Sequence, residues 1–121
     1  MKRLILLWMS TLLALPAAAQ QPSSTSRSLE CDTGPVNKTY GGAQWQVFSC
    51  SDDLSVLIVA AAGNPSYPFY FMLYPYENRY QMHGRGTGRK DATSAAFDEL
   101  KALRESDIKM LIQLAKAQKK P

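Results

Sequence analysis

His83 is the single histidine of the chain and stands in a strand-like run, Arg79–Gly86. A catalytic histidine needs a nucleophile within reach and a carboxylate that orients its ring. The sequence places neither at a recognisable spacing from His83, so we expect a surface or pocket-lining side chain. A small periplasmic hydrolase or ligand-binding domain that uses His83 with Arg85 and the Gly84–Gly88 loop stays open as an alternative.

A glycine-rich run, Gly84–Gly88, leads into a predicted helix and is followed by basic residues. Glycines free backbone amides and a helix N-terminus favours anions, so the run is a weak candidate for an anion site. Its spacing matches neither the phosphate-binding loop of nucleotide hydrolases nor the dinucleotide fingerprint. The other interpretation is a twisted strand end, where glycine tolerates the geometry. The candidate anion ligands are Arg85, Gly86, Gly88, Arg89 and Lys90.

Two cysteines, Cys31 and Cys50, follow the N-terminal segment. In an oxidising compartment such a pair usually forms a disulfide. The closed loop of about 20 residues predicts a stabilisation of roughly 3 kcal/mol in the chain-entropy model. Metal binding by both thiolates and His83 is disfavoured, because the chain has no paired-cysteine motif and one histidine. The sequence therefore predicts a disulfide, no metal site and no cofactor.

Seven aromatic residues fall between Tyr67 and Tyr80. Tyrosine offers a large amphipathic surface at low entropic cost and is enriched at interfaces. One interpretation is a binding platform for a protein or a glycan, and the other is core and rim packing in a small sheet. The candidate binding surface comprises Tyr70, Met72, Tyr74, Tyr76 and Tyr80.

The segments that must position these residues read as β-strands separated by turn signals. The first run alternates, with Trp45 and Val47 on one face and Gln46 and Phe48 on the other. The next two runs are apolar on both faces, which is typical of central strands. The fourth places Arg79, Gln81, His83 and Arg85 on one face and Tyr80, Met82 and Gly84 on the other. The four predicted strands are Trp45–Cys50, Leu54–Ala62, Phe69–Tyr74 and Arg79–Gly86.

From Asp91 onward the apolar residues follow the period of a helix. Asp91, Thr93 or Ser94 is expected to cap its start. Charged residues interrupt the apolar stripe near Ser106, which predicts either a kink there or two shorter helices with Ser106 capping the second. The predicted fold is therefore α+β: a four-stranded antiparallel β-meander with a C-terminal amphipathic helix on one face and one disulfide.

One helix covers one face of a sheet, so the apolar residues on the other face need a second cover. The sequence leaves three candidates for it. They are the segment Leu29–Thr39, which reads as a loop held by the disulfide, a second copy of the chain, or another protein.

The N-terminus has the pattern of an export signal. Lys2 and Arg3 precede an apolar run that ends at Pro16 and a small-residue cleavage site, with cleavage expected after Ala19. The expected organisation is a signal peptide over 1–19, a disordered leader over 20–28, one domain over 29–118 and a basic tail over 119–121. The chain has 14 basic and ten acidic residues. Cleavage would remove Lys2 and Arg3, which leaves 12 basic residues and a net charge of +2.

The run Phe48–Asp53, Phe-Ser-Cys-Ser-Asp-Asp, precedes an apolar strand. It resembles the start of the periplasmic inhibitors of c-type lysozyme, which are small, exported, disulfide-bridged β-domains. The resemblance covers about ten residues, and the long C-terminal helix departs from the all-β pattern of that family. No functional residue is carried over from it.

These observations favour a small exported, periplasmic or secreted binding protein without catalysis. Its expected partner is another envelope or exported protein, which it would inhibit or neutralise in the manner of an immunity protein. A structural homodimer, whose second sheet face is its own interface, is a further alternative. Nucleic-acid binding is disfavoured by the nearly balanced charge and by export, and the mature chain has no apolar run long enough to span a membrane.

Overall fold

A computed structural model describes residues 28–118. The predicted signal peptide and most of the leader lie outside these residues, as does the basic tail. The chain folds as an antiparallel sheet followed by two helices, which confirms the α+β class. The elements are β1 (Thr33–Tyr40), β2 (Ala43–Ser49), β3 (Val56–Ala60), β4 (Phe69–Tyr76), β5 (Arg79–Gly86), α1 (Lys90–Leu100) and α2 (Glu105–Ala117).

The sheet is a meander in which each strand pairs with its neighbour in the chain, in the order β1-β2-β3-β4-β5. It has five strands rather than the four predicted, because β1 occupies most of the segment expected to be a loop. Pro35 obscured this strand in the sequence, but proline is tolerated in an edge strand. Gly41 and Gly42 both have positive φ and form the two-residue turn that joins β1 to β2.

One face of the sheet holds the hydrophobic core beneath both helices. Trp45, Val47 and Ile58 are fully buried there, and the Trp45 ring lies 5.4 Å from that of Phe71. The predicted alternation in β2 is confirmed, since Gln46 and Phe48 lie on the other face. From the helices, the core includes Ala96, Leu100, Ile108, Leu111 and Ile112.

The C-terminal region forms two helices, and the break lies before Ser106 rather than at it. α1 ends at Leu100 and α2 begins at Glu105. The N-cap is Arg104, whose backbone N–H donates to the Asp107 carboxylate at 2.8 Å. That bond lowers the pKa of Asp107; desolvation opposes it, and the charge of Arg104 adds to the lowering. Ser106 therefore lies inside the first turn of α2.

The start of α1 also differs from the prediction. The helix begins at Lys90, and the N-cap position belongs to Arg89, which makes no side-chain capping bond. The three predicted caps, Asp91, Thr93 and Ser94, all lie inside the helix instead. Asp91 still stabilises this end, since its carboxylate accepts from the backbone N–H of Ala92 and an acidic group favours a helix N-terminus.

The β1–β2 turn is fixed against α1 by a close backbone approach. A Cβ on Gly41 would lie 2.7 Å from the backbone nitrogen of Ala96, so a glycine is needed there. The N–H of Gly41 donates to Glu99 Oε1 at 2.6 Å. Burial and the nearby Glu99 charge raise the pKa of Tyr40, the residue before this turn, to about 12.

The turn between β2 and β3 is organised by Asp52. Its carboxylate accepts from the backbone N–H groups of Leu54 and Ser55 at 2.9 and 2.8 Å and from Ser55 Oγ at 2.7 Å. Burial opposes the charged form, but these hydrogen bonds together lower the pKa of Asp52. Because Ser55 is buried, its hydroxyl depends on this acceptor.

Asp52→Ala is expected to cost about 1–2 kcal/mol at pH 7, since it leaves a buried hydroxyl and two amides without their acceptor. A carboxyl with a lowered folded pKa stabilises above its unfolded pKa of about 3.9, and this contribution is lost as the pH falls through the folded value. The difference from wild type in chemical denaturation should therefore shrink below about pH 4. As a control, Asp53→Asn removes an exposed ion pair with Lys116 and should cost under about 0.5 kcal/mol.

Candidate functional site

The face of the sheet opposite the helices carries a row of apolar side chains on its central strands. We call this surface the helix-free face. Phe48, Leu57 and Met72 are cross-strand neighbours on it, and Val59 pairs with Tyr70 in the next row. All five are half-buried, whereas the residues that alternate with them are in the core. The central strands therefore present apolar side chains on both faces, and the helices cover only one of these faces.

The predicted second cover of this face is not provided by the segment Leu29–Thr39. Its larger part, β1, extends the sheet sideways, and only the beginning of the segment reaches the helix-free face. The predicted disulfide, Cys31–Cys50, is confirmed and anchors this beginning. Glu30 and Ser51 add two hydrogen bonds beside it: the N–H of Glu30 donates to Ser51 Oγ at 3.1 Å, and that of Ser51 to the Glu30 carbonyl at 2.7 Å.

A groove of about 860 Å³ lies on this face, between the anchored N-terminal segment and the ends of β4 and β5. Leu57 and Val59 belong to β3 and line its middle. Leu29 and Tyr67 line it from distant parts of the chain and remain 45% and 56% exposed. Sequence reasoning missed Leu29; it counted Tyr67 in the aromatic cluster but not in the candidate surface, since no periodic pattern links these two loop residues. The lining is Leu29, Cys31, Leu57, Val59, Tyr67, Pro68, Phe69, Tyr70, Arg85, Gly86 and Thr87.

The strands contribute only basic charge to the helix-free face. None of the five described strands contains an Asp or a Glu. On β5, Arg79, His83 and Arg85 alternate with core-facing residues, and the two arginines are exposed. Within residues 28–118, no ion pair includes either arginine. The apolar row is thus bordered by unpaired positive charge, and Arg85 lines the groove.

The structure divides the predicted tyrosine surface. Tyr70, Met72 and Tyr74 lie together on the helix-free face, each half-buried. Tyr80 lies on the core side, where its hydroxyl donates to the Leu54 carbonyl at 2.6 Å. Burial, then the charges of Glu105 and Asp52, raise the pKa of Tyr80. Tyr76 is exposed at the β4–β5 turn, so three of the five candidates form a common surface.

His83 is exposed on β5 and has Met72 as its cross-strand neighbour. Its ring meets that of Tyr74 edge-on, with 5.8 Å between the centroids. Among residues 28–118, no group of three His, Cys, Asp or Glu side chains is placed to hold a metal ion. The arrangement around His83 is therefore an aromatic and apolar surface, and the hydrolytic alternative gains no support from it.

The glycine-rich run packs tightly against the loop before β4. A Cβ on Gly88 would overlap the Ser66 carbonyl, and one on Gly86 would overlap that of Pro68. The guanidinium of Arg89 is paired with the Asp91 carboxylate at 2.6 Å, which raises the pKa of Arg89 and lowers that of Asp91. The close approach accounts for both glycines as packing positions. Anion binding by this run stays a prediction, and Asp91 already places a carboxylate at the start of α1.

No helix in residues 28–118 is long and apolar enough to cross a membrane. Comparison with protein-family models, with curated proteins and with solved structures finds no match to this chain. The helix-free face, with its apolar row, its groove and its unpaired arginines, is therefore the feature from which function is inferred.

Proposed function

We propose that this chain is a small exported binding protein without catalytic activity, and that its helix-free face contacts another envelope or exported protein. The observation that carries the proposal is the half-buried row of Phe48, Leu57, Val59, Tyr70 and Met72 on a face that neither helix covers. A continuous apolar surface of this kind marks an interaction site more often than isolated exposed apolar residues do.

The side chains of this row suit a protein interface. Tyr70 and Tyr74 combine a large apolar ring with a hydroxyl that can remain hydrated at the rim, and Met72 between them adapts its shape to a partner. Aromatic residues at the centre of a patch and arginines at its border are the types enriched at protein interfaces. An acidic partner surface would complement Arg79 and Arg85.

Export is supported by the disulfide and by the N-terminal sequence pattern. Disulfides form and persist in oxidising compartments and are rare in the bacterial cytosol. The pattern of a cleaved signal peptide lies outside the described residues and is independent of the disulfide. A small, disulfide-bonded sheet with one exposed face is consistent with an inhibitor or immunity-type protein, which needs a rigid binding surface rather than catalytic residues.

Met72→Lys tests this proposal, because it places a charge in the middle of the apolar row at a half-buried position. We expect cross-linked capture of a specific partner from periplasmic extract to fall at least about tenfold, since desolvating a lysine opposes association. Met110→Lys makes the same substitution at a 56% exposed position on α2, away from this face; it is the control and should leave capture unchanged. Quantitative mass spectrometry of the captured fraction gives the comparison, and thermal unfolding confirms that both variants fold.

Two results would contradict the proposal. One is a capture profile that Met72→Lys leaves identical to that of wild type. The other is a homodimer, seen by light scattering for wild type alone, that Met72→Lys converts to a monomer. The second result would show that the helix-free face is occupied by a second copy.

A further inference from the structure

The groove beside Arg85 has the chemistry of a ligand site of its own. Its volume, about 860 Å³, lies within the range of roughly 300–1,000 Å³ found for small-molecule sites. Leu29 and Tyr67 line it while keeping about half of their surface in water. A ligand that filled the groove would bury these two side chains together with Leu57 and Val59.

The groove is built on the central strands, and this restricts its ligand. β3 is paired with β2 and β4 on its two sides, and β4 with β3 and β5. The backbone groups beneath the groove are therefore engaged in the sheet. A peptide lying there would find few partners for its own amides, which is costly once they leave water. An alkyl chain has no such groups, so the groove favours an acyl chain over an extended peptide.

Arg85 determines the expected head group. It is exposed, lines the groove and takes part in no ion pair within residues 28–118. No carboxylate of the described strands competes for it. A guanidinium binds a carboxylate through two parallel hydrogen bonds, a geometry that a planar carboxylate fits well.

We propose that this groove binds a single-chain carboxylate amphiphile, with its acyl chain along Leu57 and Val59 and its carboxylate on the Arg85 guanidinium. The site goes beyond the proposed protein contact, although the two share Leu57, Val59 and Tyr70. Binding of the amphiphile does not require the protein partner. Met72, the centre of the proposed contact, is not among the groove residues. The two proposals can therefore fail separately.

The test is calorimetric titration of the disulfide-bonded protein with dodecanoate below its critical micelle concentration. We expect saturable binding of one molecule per chain. Decanoate, two methylenes shorter, should bind roughly tenfold more weakly if the chain lies in the groove. Dodecyltrimethylammonium carries the same chain with a positive head and should bind at least about tenfold more weakly than dodecanoate.

Arg85→Gln should weaken dodecanoate binding about tenfold or more, since a charge-assisted hydrogen bond is lost. Arg79→Gln is a matched control, because it removes the same residue type from the same face of β5, outside the groove. Its affinity should equal that of wild type. Val59→Thr keeps the shape of the groove but makes it more polar, so it should weaken dodecanoate and decanoate alike.

The proposal is overturned if Arg85→Gln and Arg79→Gln bind dodecanoate equally, or if the cationic amphiphile binds as well as the anionic one. It is also overturned if the protein binds phosphatidylglycerol vesicles but shows no saturable binding of the monomeric amphiphile. If dodecanoate does not bind while Met72→Lys still abolishes partner capture, only the ligand proposal falls.

Discussion

Trp45→Ala is expected to lower the free energy of unfolding by about 4 kcal/mol, the largest loss we predict for a single side chain of this protein. Removing a large buried aromatic costs roughly 3–5 kcal/mol, through lost burial and the cavity left behind. Trp45 is fully buried between the sheet and the helices and packs against Phe71. A domain of this size has a total stability of about 5–15 kcal/mol, so the variant should be close to unfolding.

Trp45 also contributes a hydrogen bond, and Trp45→Phe separates this from its packing. The indole Nε1–H donates to the Tyr40 carbonyl at 3.0 Å. Phenylalanine retains most of the aromatic contact but leaves the carbonyl without this donor, at a cost of about 1 kcal/mol plus the smaller ring. We therefore expect Trp45→Phe to fall between wild type and Trp45→Ala in equilibrium denaturation.

Tyr74→Ala provides the control for position on the sheet. Tyr74 is an aromatic residue of β4 and lies half-buried on the helix-free face. Its removal should cost only about 1 kcal/mol, because the ring lies at the surface beside His83 rather than in the core. Equal losses for Trp45→Ala and Tyr74→Ala would contradict the assignment of the two faces.

Removal of the disulfide is the second large effect. Cys31→Ala with Cys50→Ala should cost about 3 kcal/mol in the chain-entropy model, because the unfolded chain regains the freedom of a loop of about 20 residues. For a domain of this length, the melting temperature should fall by about 15 °C. Alanine is preferred to serine at position 50 because Cys50 is buried and a hydroxyl there would need a partner.

Thermal unfolding of the wild-type protein with and without a phosphine reductant also measures how much the disulfide stabilises the fold. The reductant should lower the wild-type melting temperature by an amount similar to the double substitution and should leave the double variant unchanged. A stability loss well below about 1 kcal/mol would mean that residual structure already restricts this loop in the unfolded chain. Dodecanoate affinity should also fall in the double variant, since Leu29 and Cys31 line the groove.

The elements with a regular apolar period were predictable from the sequence. β2 alternates strictly, and β3 and β4 are apolar runs between turn signals, so local patterning was sufficient for them. β1 was not predicted, because its glycine, proline and lysine give it the composition of a loop. Its pairing with β2 depends on the tight turn at Gly41 and Gly42 and on α2, which packs over it. Two helices were one of the two alternatives for the C-terminal region, and the start of the second after Arg104 is set by a local capping bond.

The candidate site was predictable only in part. The period of β4 placed Tyr70, Met72 and Tyr74 on one face. The sequence grouped Tyr80 with them, whereas the register of β4 and β5 puts Arg85 on that face instead. The groove required Leu29 and Tyr67, which come together because the disulfide anchors one and the β3–β4 loop carries the other. Likewise, the sequence did not predict the close packing of Gly88 against Ser66. Contacts between loops distant in sequence leave no period to detect.

The order of the elements along the chain has a consequence for how the protein folds. Every strand pairs with its neighbour in sequence, so the sheet can grow hairpin by hairpin through short loop closures. α2, which covers β1 and β2, follows the whole sheet in the chain. A polypeptide delivered from its N-terminal end therefore exposes the Trp45 face until this last helix docks. We expect a transient, aggregation-prone stage with both faces of the sheet in water, during which a chaperone would protect the chain.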